Sequence, residues 1–99
     1  MPTTKLHPSI SIFFPCYNDR ETIKNLVHDA YVTLKKITNH PEVIVIDDGS
    51  TDGSRELLHQ LKKTTFPQLK LIFHATNKGY GAVLQSGFTA AKGDLIAYT

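Results

Sequence analysis

The stretch Glu42-Val43-Ile44-Val45-Ile46-Asp47-Asp48-Gly49-Ser50-Thr51-Asp52 decides the fold. Its four consecutive β-branched residues show neither the three-and-four spacing of an amphipathic helix nor the alternation of a half-exposed strand. A short continuous run of this kind is a strand covered on both faces. The strand is predicted over residues 42–46. It is expected to stop at Asp47 and Asp48, because two adjacent carboxylates cannot extend a buried strand without exposing charge. Gly49 then lets the chain turn, and Ser50, Thr51 or Asp52 offers a cap for a following helix.

The same grammar repeats on either side. Residues 9–14 are rich in Ile and Phe and are stopped by Pro15, which predicts a first strand. Ile23, Leu26, Val27, Ala30, Tyr31, Leu34 and Ile37 recur at helical spacing. Asn18 and Glu21 have the spacing of a capping box, so this helix is predicted to begin near Asp19 and to end before Pro41. Leu57, Leu58 and Leu61 share a face of a second helix. Residues 69–73 form a third strand. Residues 81–91, with Val83, Leu84, Phe88 and Ala91, form a third helix despite Gly87, with Gly93 as its C-terminal cap. Residues 95–98 begin a fourth strand. Strands that alternate with helices, and that are apolar throughout, predict an α/β fold: a Rossmann-like parallel sheet with helices on both faces.

Length and composition bound what such a fold can be. Ninety-nine residues exclude two complete domains, which usually need about 100 to 150 residues each. A composition 40% hydrophobic and 20% charged is that of a globular chain rather than a disordered or fibrous one. The net charge of +2 is too small and dispersed for a nucleic-acid footprint, so no nucleic-acid partner is expected. Cys16 is the sole cysteine, which excludes an internal disulfide and a multi-cysteine zinc site and favours a reducing compartment. No apolar run approaches the roughly 20 residues that span a bilayer, and the first eight residues lack a secretory signal's apolar stretch. Residues 1–8 read as an N-terminal extension. A last strand with no helix after it leads us to expect that residues 9–99 are the front part of a larger domain rather than a complete one.

In open parallel sheets ligands bind beyond the carboxyl ends of the strands. Three polar segments fall there. In the first, residues 15–19, the Tyr17 ring can lie against a base or sugar, and Asn18 and Asp19 supply acceptors; the plainer reading is a strand stop, a rim aromatic and a helix cap. No glycine lies between Phe14 and Glu21, so the dinucleotide fingerprint is missing and a dehydrogenase is disfavoured. In the second, adjacent carboxylates point to opposite sides and only one can face the crevice comfortably; Asp48 is selected as an acceptor for a base N–H, with Asp47 left to hold backbone donors. An ordinary capped turn explains the same residues. The pair alone does not make a magnesium site. In the third, Asn77-Lys78-Gly79-Tyr80-Gly81 opens a helix whose free N–H groups, with Lys78, can attract phosphate; a Gly-rich connection with a solvated lysine is the alternative. His7, His28, His40, His59 and His74 form no metal-binding pair and are expected at the surface or rim. Cys16 is expected to be a small buried residue.

Taken in order, residues 12–19, residues 45–52, residues 77–82 and the run Ala91-Lys92-Gly93-Asp94 resemble the family 2 glycosyltransferases of GT-A fold, most closely the branch that includes polyprenyl-phosphate (dolichyl-phosphate) mannosyl- and glucosyltransferases. Cys16 stands where that family often has Thr, and Asp19 where it often has Glu. The resemblance implies that Pro15, Tyr17 and Asp19 line the nucleotide pocket, that Ile46 contributes backbone and that Asp48 binds the base. It implies a nucleoside-diphosphate-sugar donor, UDP- or GDP-linked, and inverting transfer of a hexose to an acceptor that is a lipid phosphate or a glycan. It also implies Mg²⁺ or Mn²⁺ held by a D-x-D motif that would begin just after Thr99, so residues 9–99 would be the nucleotide-sugar-binding half and inactive alone. The expected location is cytoplasmic, at the cytoplasmic face of a membrane if the acceptor is a lipid, with any membrane association made by a C-terminal region outside this chain. The competing reading is a nucleotide or nucleotide-sugar binding module without chemistry. A phospho-accepting signalling domain fits less well, since it expects its acidic pair after the first strand.

Overall fold

The computed structural model describes residues 8–98. Most of the expected N-terminal extension, and Thr99, lie outside the described residues. Along the chain come β1 (Ile10–Cys16), α1 (Ile23–Lys35), β2 (Pro41–Asp48), α2 (Ser54–Thr64), β3 (Lys70–His74), α3 (Tyr80–Ala90) and β4 (Leu95–Tyr98). The sheet is parallel throughout, in the order β3-β2-β1-β4. The first three strands add in one direction. The connection through α3 then carries the chain back across the sheet to the far side of β1, which creates a topological switch point beside β1.

Strand alternation divides the core in two. Phe14, Cys16, Val43 and Val45 pack with Ile23, Val27 and Leu34 of α1 and Leu58 of α2. Phe13, Ile44 and Ile46 pack with Val83 of α3 on the other face. Residues 43–46 are all fully buried, and each such side chain contributes about 1.5–3 kcal/mol relative to an exposed one. Layers of helix therefore cover both faces. The α3 layer is held close by Gly87, where an added Cβ would come within 2.2 Å of the Phe13 ring.

The structure moves several boundaries. β1 does not stop at Pro15 but runs to Cys16, with Pro15 opposite Ile46; the β4 ladder reaches only to Phe13 opposite Tyr98, so a proline beyond it leaves no neighbour there lacking a donor. α1 starts at Ile23, with Thr22 at its N-cap and a turn closed by Thr22 N and Ile23 N on the Asp19 carbonyl. Asn18 is no capping residue: it sits at φ 52° and bonds to a different loop. Leu26 and Ile37, placed on the buried stripe by spacing, are exposed. Gly93 does not cap α3, which ends through Ala91 in an extended conformation. It allows close approach instead, since a Cβ there would lie 2.6 Å from Ser11 N. That contact closes the amino end of the sheet, where Ser11 Oγ donates to Glu42 Oε1 at 2.6 Å and accepts from Gly93 N at 2.8 Å.

Candidate functional site

β2 runs two residues further than its composition suggests, and both aspartates are buried inside it. The charge that was expected to end the strand is held inside it, bonded at Asp48 on both oxygens and at Asp47 on one. Asp47 lies on the face covered by α1 and α2, where its Oδ2 accepts from Ser50 N at 3.1 Å and stands 3.6 Å from Arg55 Nε. Its Oδ1 has no partner among the described residues. Asp48 lies on the α3 face with Ile46 and, on the neighbouring strand, Pro15. Asp48 Oδ1 accepts from Lys78 N at 2.9 Å and from His74 Nδ1 at 2.7 Å, and Oδ2 accepts from Gly79 N at 3.0 Å. Burial acts to raise the Asp48 pKa, but the N–H groups of Lys78, His74 and Gly79 outweigh it and hold the carboxyl below its ordinary value. An ionised carboxylate has about four acceptor positions. Three are filled, and the open one is on Oδ2.

This arrangement revises the expectation for one histidine. Lys78 N and Gly79 N, which precede α3, are turned onto Asp48, while the Lys78 side chain is exposed. His74, expected at the surface or rim, is buried at the end of β3, in register with Asp48, and its Nε2 lies 2.9 Å from Ser86 Oγ on α3. Ser86, His74 and Asp48 therefore form a line of three hydrogen-bonded groups. Such a line resembles an acyl-transfer triad, but Ser86 sits within α3, where the backbone amides are committed to the helix, so nothing beside it forms an oxyanion hole. Sequence spacing carried no signal for His74 or Ser86, because each is 12 or more residues from its partner.

Backbone and side-chain bonds tie the loops at the carboxyl end together. Asn18 N donates to Ser50 Oγ at 2.9 Å, Thr51 N donates to Asn18 Oδ1 at 2.8 Å, and Arg20 N donates to Asp52 Oδ2 at 3.1 Å. The loop after β1 is thus clamped to the loop after β2. Gly49, at φ 83°, brings that second loop against the third: a Cβ there would lie 2.5 Å from Asn77 N. All three polar segments named from the sequence share one rim. Tyr17 is 46% exposed on it, and Asp19 is exposed beside it with Oδ2 3.4 Å from Tyr17 N. Ile46 is fully buried, its backbone inside the ladder between Pro15 and Ile72. Cys16 is fully buried; burial, with a smaller addition from the Asp47 charge, pushes its thiol up to about 11, so it is no nucleophile.

The donor set does not fit a divalent cation. Asp47 and Asp48 face opposite sides of the sheet, each already holds protein donors, and no group of three or more His, Cys, Asp or Glu residues comes together among the described residues. No described helix is long and apolar enough to cross a membrane.

Comparison with known proteins identifies the family. The undecaprenyl-phosphate 4-deoxy-4-formamido-L-arabinose transferase of Pseudomonas savastanoi pv. phaseolicola is 30% identical over 87 residues, covering 88% of this chain and 26% of that protein. The protein of the same description from Yersinia enterocolitica is 35% identical over 89 residues, covering 88% of this chain and 27% of its own length. The chain thus spans about a quarter of the length of these relatives. Among solved structures, the mannosyltransferase PcManGT from Pyrobaculum calidifontis, in complex with GDP-Man and Mn²⁺, superposes with a TM-score of 0.79 over 97% of this chain and 28% of its own, at 23% identity. That likeness shows a shared fold, the GT-A type of Rossmann-like sheet. The family model described as glycosyl transferase family 2 matches residues 11–99, and the chain belongs to that family.

Proposed function

We propose that the chain supplies the donor-nucleotide site of an inverting glycosyltransferase that moves a hexose from a nucleoside-diphosphate sugar to a polyprenyl phosphate. The observation that carries this reading is the rim itself. Pro15, Ile46 and Asp48 share one face at the carboxyl ends of β1 and β2, next to the switch point, with exposed Tyr17 and Asp19 on the loop clamped above. Tyr17 offers a ring for stacking on the base. Asp48 Oδ2 offers one acceptor position, which suits the single imide N–H of a uracil or guanine. Asp19 is placed to accept from a ribose hydroxyl, and Lys78 is the exposed cation nearest the α3 start for the diphosphate.

Support for the acceptor comes from the relatives, whose descriptions name undecaprenyl phosphate. A phosphate monoester is largely ionised at neutral pH, with a second pKa of about 6, so it needs less help from a general base than a sugar hydroxyl does. In this reading the reaction takes place at the cytoplasmic face of a membrane, where a lipid acceptor meets a soluble nucleotide sugar. Divalent metal in this reading is held by residues other than those described, because the aspartates of β2 do not fit it; when bound it would neutralise charge on the departing diphosphate.

Titration of the protein with UDP-glucose and GDP-mannose, with and without Mn²⁺, tests the reading. One of the two donors is expected to bind. Tyr17→Ala, whose side chain is exposed and outside the core, is expected to weaken that binding about tenfold, the loss of a stacking contact of about 1–1.5 kcal/mol. Equal affinity of Tyr17→Ala and the unaltered protein removes the site from this rim.

A further inference from the structure

We propose that His74 and Ser86 are positioning residues for donor recognition: together they fix which oxygen of Asp48 is offered to the base. The inference rests on the donor-site reading given above and adds to it two residues that never reach the ligand.

Hydrogen-bond bookkeeping fixes the proton positions. Asp48 accepts from the backbone N–H groups of Lys78 and Gly79, donors that favour its ionised form, so its carboxylate is an acceptor towards His74 as well. His74 Nδ1 must therefore carry a proton and donate to Oδ1. In the neutral ring Nε2 is then a lone pair, and the Ser86 hydroxyl, 2.9 Å away, is the group that donates to it. Each bond thus fixes the next. Ser86 on α3 sets the ring plane, and the ring saturates Oδ1, which already holds Lys78 N. The remaining acceptor direction belongs to Oδ2.

The surroundings leave His74 little choice. It ends β3, directly in register with Asp48, and is 7% exposed. The charged group facing it from β2 is Asp48. α3 contributes no Asp, Glu, Lys or Arg, and its one titratable side chain is Tyr80 at the first residue. The connecting loop contributes Lys78, whose backbone is already bonded to the same carboxylate oxygen as the ring. A carboxylate relieved of the His74 bond would have two open positions on different oxygens. It would turn or take up water, and the base would meet a less defined acceptor.

Two substitutions separate this role from plain structural support. In His74→Asn the amide nitrogen falls near the place of Nδ1 and can still donate to Asp48, while contact with Ser86 is lost. In His74→Gln the amide reaches the place of Nε2 and keeps a partner in Ser86, while the bond to Asp48 is lost. Both remove the ring from the same buried space, so a purely structural role predicts similar losses. The measurement is titration with UDP and GDP, using whichever binds the unaltered protein, alongside thermal unfolding. His74→Asn is expected to stay within about threefold of the unaltered affinity. His74→Gln is expected to lose about tenfold or more, in line with the loss of a hydrogen bond to a charged group. Ser86→Ala should fall between them. Equal affinity losses in the Asn and Gln variants, or no loss in the Gln variant, overturn the proposal. If Tyr17→Ala binds as the unaltered protein does, or if neither nucleotide binds at all, the donor-site reading fails first and takes this inference with it; normal loss in Tyr17→Ala with no Asn-Gln difference sinks the inference alone.

Discussion

Asp47 and Asp48 are neighbours of the same type, 0% and 4% exposed, yet their surroundings differ in face, in donors and in what is left unpaired. Asp47, on the α1 and α2 face, has one backbone donor, a half-exposed arginine at 3.6 Å and an oxygen with no partner among the described residues. Asp48, on the α3 face, has three donors at 2.7–3.0 Å drawn from a loop and a neighbouring strand. The difference teaches that strand alternation assigns each carboxylate to a face, and that the loop crossing that face then decides what the carboxylate does. Asp47 ties down its own turn. Asp48 ties β2 to β3 and to the loop before α3, and one acceptor position on its Oδ2 takes no protein donor among the described residues.

The strongest way to break this contrast is Asp48→Ala. It strands the N–H groups of Lys78 and Gly79 and the His74 ring at once, and is expected to cost about 3 kcal/mol of unfolding free energy by denaturant titration. Next comes Gly49→Ala, which forces a side chain into a left-handed conformation 2.5 Å from Asn77 N. A cost of about 2 kcal/mol is expected, with separation of the second and third loops visible as faster amide exchange near Asn77. Asp47→Asn should do far less. It keeps an oxygen for Ser50 N and removes a charge that burial disfavours, so a change within about 1 kcal/mol is expected, and a loss matching that of Asp48→Ala would erase the contrast.

The smallest effect is in pH. The Asp48 carboxyl is depressed in the folded protein, so its charge-dependent contribution is fully present above the unfolded value of about 3.9 and is lost as pH falls through the lower folded value. The stability gap between the unaltered protein and Asp48→Ala should hold steady from pH 7 to about pH 4 and narrow below it. A gap that narrows already at pH 6 would show that Asp48 is not held in its charged form.

Boundaries were the least legible features of the sequence, for reasons that can be named. Composition stopped β2 at Ile46 because two carboxylates have no local partners; their partners are up to 31 residues away, in Ser50, Arg55, His74, Lys78 and Gly79. Asn18 and Glu21 had the spacing of a cap, but Asn18 is recruited by Thr51 and Ser50 across the rim. His74 looked like any scattered histidine until β3 paired beside β2. Gly87 and Gly93 looked like a flaw and a cap, and both prove to be places where backbone meets a neighbouring element.

The residues alone determined the order of strands and helices, the parallel sheet covered on both faces, and the three polar segments that meet at one end. Period, branching and turn chemistry are local properties, and they suffice for that. Only the tertiary structure decided which aspartate holds which donors, that the two amides before α3 bond to a carboxylate, and that His74 links Asp48 to Ser86. Hydrogen-bond partners in a parallel sheet come from strands joined by long crossovers, so their identity is fixed by packing in space and leaves no trace in sequence spacing.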